Sequence, residues 1–94
     1  MLKILSYKYL GDYKLELYFD NNTHGIADMA DYLTGDSGVF APLKDKEKFQ
    51  DITLQYGIIT WLNGDLDIAP EYLFFLANND NPKYEELFTD WGYL

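Results

Sequence analysis

The stretch YKLELYF, residues 13–19, alternates without a break. Tyr13, Leu15, Leu17 and Phe19 point one way, and Lys14, Glu16 and Tyr18 point the other. A strict period of two over seven residues is the pattern of a half-buried β-strand. Upstream, residues 2–9 are mostly apolar or aromatic, and Gly11-Asp12 supplies a turn, so the two segments read as a hairpin. Downstream, Asp20-Asn21-Asn22 turns the chain into a short third strand, Thr23 to Ala27.

Beyond that the pattern shortens. Asp28 is placed to cap a helix over Met29 to Leu33, which Gly35 would end. Gly35-Asp36-Ser37-Gly38 reads as a flexible loop. Phe40, Leu43 and Phe49 are the expected core anchors of an irregular stretch, with Asp45 capping a helix from Lys46 to Gln50. Ile52, Leu54 and Tyr56 alternate, Gly57 permits a tight reversal, and Ile58 to Trp61 returns, giving a second hairpin. Asn63-Gly64 then turns the strand. Pro70 takes the first position of a helix running to Ala77, Glu71 answers its positive end, and Leu73 and Leu76 face the core. Asn78 to Asn81 breaks this helix. Asn81 caps a last one, opened by Pro82, in which Tyr84, Leu87, Phe88 and Trp91 fall at i, i+3, i+4 and i+7. The expectation is an α+β fold. It has an antiparallel sheet of about five strands in two hairpin-containing halves, with short helices after strand 3, before strand 4 and at the C-terminus. Residues 1–77 form the domain, and residues 78–94 an acidic, aromatic helical extension packed on or near it.

Ninety-four residues make one domain. There is no cysteine, so disulfides and thiolate chemistry are excluded. The apolar run at the N-terminus is too short for a signal peptide, and no segment approaches the ~20 apolar residues of a membrane span. A cytoplasmic bacterial protein is the expected setting. Sixteen acids face seven Lys and no Arg, for a formal charge of −9. Nucleic-acid binding needs clustered cations, and Arg above all, so no direct nucleic-acid contact is expected. The charge is uneven: residues 1–62 carry nine acids and six Lys, whereas residues 63–94 carry seven acids and one Lys. Such a C-terminal third steers toward basic partners or stays as a solvated face.

Asp65, Asp67 and Glu71 are the one carboxylate group with a turn to gather it. A hard cation takes oxygen ligands, but Leu66, Ile68 and Ala69 supply none from their side chains. The plainer reading has Asp67 brace the helix start while Glu71 answers the helix dipole, so no metal ligand, cofactor or catalytic residue is expected. His24 is the lone histidine and reads as a strand-edge surface residue. Asn21-Asn22-Thr23 matches a glycosylation sequon, which carries nothing without secretion. Trp61 with Tyr72 and Phe75 would line a pocket or fill the core. The stripe of Tyr84, Phe88 and Trp91 either packs on the domain itself or docks on another subunit or partner.

Three segments carry a resemblance: GDYKLELYFDNNTHGIADMADYL, VFAPLKDKEKFQDITLQYGIITW and NGDLDIAPEYLF. Together they resemble the family of small bacterial proteins and domains of unknown function numbered 2442, over residues 3 to 76. The family's closing pattern lies on Trp61, Asn63, Gly64, Asp67, Pro70 and Glu71. Here Leu62 stands where the family commonly has Pro, and Asp65-Leu66 lengthens the turn. Some relatives continue into a DNA-binding helix-turn-helix; residues 78–94 are too short and too acidic for one. The resemblance implies no enzymatic activity. It implies an antitoxin-like, protein-binding accessory role beside a basic, toxin-like partner. Exposed sheet edges also allow a homodimer. The alternatives are a small-molecule or divalent-metal sensor built on residues 61–74 and, last, a hydrolase using the same carboxylates.

Overall fold

The computed structural model describes residues 1–35 and 37–94. Six strands form two three-stranded antiparallel sheets, with short helices between and after them. The first sheet joins β1 (Ile4–Gly11), β2 (Lys14–Phe19) and β3 (His24–Asp28) in chain order. The alternation of residues 13–19 is realised in β2: Leu15, Leu17 and Phe19 are sealed in the core, while Lys14 and Tyr18 are exposed. Tyr7 and Tyr9 on β1 pair with Leu17 and Leu15 and share their inward face.

The turn between β1 and β2 lies one residue later than Gly11-Asp12. Gly11 pairs with Lys14, and Asp12 and Tyr13 take the two left-handed positions, φ 51° and 64°. Two such residues give the backbone twist that matches a hairpin. A left-handed tyrosine is strained, and contacts from the next segment hold it. Its hydroxyl donates to the Lys44 carbonyl, its ring meets Phe49 edge-on at 5.2 Å, and Lys46 reaches back to Asp12 at 2.8 Å. The lysine holds the Asp12 carboxyl below the usual carboxylate range, chiefly through that hydrogen bond.

The helix expected over Met29–Leu33 is a single hydrogen-bonded turn. Asp28 Oδ1 accepts from Ala30 N at 3.0 Å as a cap would, but the bonds that follow are few: Leu33 N to Met29 O and Ala30 O, and Thr34 N to Asp31 O. A 3-10 segment, Gly38–Lys44, follows, and Asp36 of the intervening loop lies outside the described residues. The helix α1 (Lys46–Phe49) is capped by Asp45 as expected, through Glu47 N at 3.0 Å. Leu43 and Phe49 are wholly buried, with Phe40 half-buried beside them.

The second sheet joins β4 (Ile52–Gln55), β5 (Ile58–Trp61) and β6 (Leu66–Ile68). Tyr56 leaves the strand pattern, because Tyr56 and Gly57 are themselves the left-handed turn between β4 and β5. This tip ties the sheets together. The Gly57 carbonyl accepts from Ile4 N at 2.9 Å, and a Cβ on Gly57 would lie 2.7 Å from Lys3 Cβ. Nearby, the Tyr7 hydroxyl donates to the Ile52 carbonyl at 3.2 Å. The sixth strand, β6, was not expected.

The helix α2 (Pro70–Asn78) then packs on the inward face of β3, where Gly25 pairs with the buried Leu17. Gly25 allows the approach, since a Cβ there would meet Ala77 Cβ at 3.2 Å. A 3-10 turn (Pro82–Tyr84) and the helix α3 (Glu85–Asp90) close the chain, with Asn81 accepting from Lys83 N at 3.0 Å as their cap.

Candidate functional site

The segment from Trp61 to Phe74 is a strand, a turn, a strand and a helix start. Trp61 is 0% exposed, and its indole N–H donates to the Phe49 carbonyl at 2.8 Å. Its ring meets Phe49 and Phe40 rather than Tyr72 or Phe75, so those three residues do not line a common pocket. Leu62, Asn63 and Gly64 are three successive left-handed residues, with φ 53°, 58° and 92°. Gly adopts this region freely and Asn tolerates it, but Leu62 is strained there. The tight turn lets Asp65 N donate to Leu62 O at 3.1 Å and returns Leu66 to pair with Trp61. Asp65 therefore closes the turn and Leu66 starts β6.

Asp67 lies opposite Thr60 on that strand and is exposed. It does not cap α2: the N-cap is Ala69, which offers no side-chain oxygen, and Pro70 at the first position has no N–H to satisfy. Glu71 sits in the first turn of α2 as expected, half-buried, with Oε2 shut off from solvent and without a hydrogen bond among the described residues. No three His, Asp or Glu side chains among the described residues are placed to hold a metal ion. Asp65, Asp67 and Glu71 are thus spread along a hairpin and a helix rather than gathered.

The C-terminal helix has two faces. Phe88 is 0% exposed and meets Phe75 at 5.0 Å and Phe74 at 5.9 Å. Tyr84 and Trp91 close on Phe74 from either side, and Tyr93 lies against both Tyr72 and Phe75. Of the stripe Tyr84, Phe88 and Trp91, Phe88 is the anchor and cannot reach a partner in this conformation. Leu87 and Trp91 form the outward rim, each 36% exposed, and Leu94 is more exposed still. Alongside runs a carboxylate stripe, Glu86 and Asp90, with Glu85 next to it. Shallow open grooves on this side are lined by Asp80, Pro82, Glu85 and Leu94, and by Pro82, Glu85, Glu86 and Asp90. The one ion pair among the described residues is Lys46–Asp12, so none of these carboxylates has a cation. The tail's own cation, Lys83, lies over the Tyr84 ring at 5.5 Å.

Two features escaped the sequence reading. Phe74 is the hub of the tail's packing, although its neighbours Leu73 and Leu76 were the expected core contacts; the two faces of a helix read alike when both are apolar. The outer face of the first sheet stacks Tyr18 on His24 at 5.2 Å with Ile26 exposed nearby. His24 does lie on an edge strand and is exposed.

Two small antiparallel sheets closed by short helices define an α+β domain. The chain belongs to the protein family of unknown function DUF2442, whose model matches residues 4–79. No curated protein and no solved structure matches the chain significantly. No helix among the described residues is long and apolar enough to cross a membrane.

Proposed function

We propose that this protein is a non-enzymatic, antitoxin-like accessory domain that binds a basic protein partner on the outer rim of α3. One observation carries the reading: Leu87 and Trp91 stand exposed beside Glu86 and Asp90, which have no ion-pair partner among the described residues. An aromatic anchor ringed by uncompensated charge suits a Lys- or Arg-bearing surface. The carboxylates steer it in, and the indole face receives a cation or an apolar side chain. The anchorage of Phe88 holds the rim in place before a partner arrives, which lowers the ordering cost of binding. The net charge of −9 acts in the same direction.

The test is affinity capture from the native host with the full chain as bait, compared with Trp91→Ala and with Glu86→Gln/Asp90→Asn. The expected result is a captured protein of high Lys/Arg content, weakened about tenfold or more by Trp91→Ala, as for an interface anchor. Capture that is acidic in composition, or indifferent to both variants, contradicts the proposal.

A further inference from the structure

Residues 80–94 meet the rest of the chain through a set of ring contacts, with no hydrogen bond across them among the described residues. Phe88, Tyr84 and Trp91 pack on Phe74, and Phe88 and Tyr93 on Phe75. Among the described residues no hydrogen bond or ion pair joins residues 80–94 to residues 1–77. The polar bonds of the segment close within it: Thr89 to Glu85, Trp91 N to Leu87, Tyr93 N to Phe88. The one bond leaving it is Asn81 N to the Asn78 carbonyl, at the joint itself.

The joint is short and polar. Asn79, the C-cap of α2, keeps helical angles, φ −64° and ψ −19°, whereas Asn81 is extended at φ −92°, ψ 111°. The backbone thus passes from helical to extended angles between Asn79 and Asn81, and hinges need only a few residues to absorb a large rotation. The family match ends at Asn79, on the near side of the same joint.

We propose that residues 80–94 exchange reciprocally between two copies of this chain, each tail seating Phe88 against Phe74 and Phe75 of the other copy. The two copies are identical and, among the described residues, no polar pairing ties the tail to its own chain, so the exchanged dimer repeats every contact of the closed monomer. The balance then rests on the hinge angles, the entropy of association and any new surface between the copies. Two chains of −9 repel, so added salt favours the dimer. Release of a buried phenylalanine makes the exchange slow and coupled to local opening of the tail.

The inference is independent of the basic-partner reading, because purified chain alone tests it. Isotope-labelled and unlabelled full-length protein are unfolded together, refolded at high protein concentration, and the dimer fraction is separated by size. Isotope-filtered NMR is expected to show contacts between Phe88 of one chain and Phe74 or Phe75 of the other, with a dimer fraction that rises with ionic strength. A monomer at every concentration and salt, or a dimer whose Phe74–Phe88 contacts are all intramolecular, overturns the proposal. Deleting Asp80-Asn81 shortens the joint so that the tail cannot fold back. The deletion variant is expected as a dimer only, and a folded monomer counts against the exchange. Where the deletion does not fold, the wild-type mixture decides by itself.

Discussion

At Trp61 one side chain joins three parts of the chain. Its indole N–H satisfies the Phe49 carbonyl at the end of α1, while its backbone pairs with Ile52 and with Leu66 on either side. Trp61→Phe strands a buried carbonyl, at a cost of about 1–3 kcal/mol, and loses ring volume as well. Urea unfolding is expected to show a lower midpoint with an unchanged slope. Gly57 is constrained twice, by φ 81° and by Lys3 against its missing side chain. Gly57→Ala is expected to destabilise by more than the roughly 1–2 kcal/mol of a left-handed residue alone, read in the same assay. Tyr72 sets a pH limit. Burial pushes its hydroxyl up from the usual tyrosine range, helped by Tyr32 and Tyr93. A raised folded-state pKa means that the folded chain holds the proton more tightly. This stability is complete below the ordinary tyrosine pKa and is lost as pH rises through the folded value. Tyr72→Phe should therefore flatten the alkaline limb of the stability curve, measured by melting temperature against pH.

At the scale of elements, what was legible follows from period and punctuation. The first hairpin and α2 could be read because alternation, Pro70 and Glu71 are local signals. Tyr13 and Tyr56 were read as strand residues because alternation fixes which face a side chain takes and is blind to the sign of φ. The strand β6 was hidden by its length: three residues between Asn63-Gly64 and Pro70 are too few to show a period. The Met29–Leu33 helix failed after one turn although Asp28 bonds Ala30 N, because a cap satisfies an end and does not extend a helix. For the tail, spacing marked the stripe but not which residue turns inward; that depends on where α2 presents Phe74 and Phe75. Phe88→Ala is expected to cost about 3–5 kcal/mol and to loosen α3, seen as faster amide exchange over residues 85–91. Gly25→Ala should push α2 off β3 at a cost of about 1–3 kcal/mol, the range for overpacking, with calorimetry as the check.

At the scale of the whole molecule, charge and shape converge on one end. Trp61 and Phe19 from the sheets and Phe49 and Phe74 from the helices fill the shared core, and α2 packs on β3. The uncompensated carboxylates of Glu85, Glu86 and Asp90 gather beside exposed Leu87 and Trp91 at the C-terminal end. Affinity for a basic partner should fall steeply as salt rises, because exposed charges are screened within about 8 Å at physiological ionic strength. The most direct measurement is amide hydrogen exchange of the full chain, with and without the captured basic protein. The account predicts new protection over residues 85–94 and little change on the outer face of the first sheet around Tyr18, His24 and Ile26. Protection centred on that sheet face, with residues 85–94 unchanged, would contradict it.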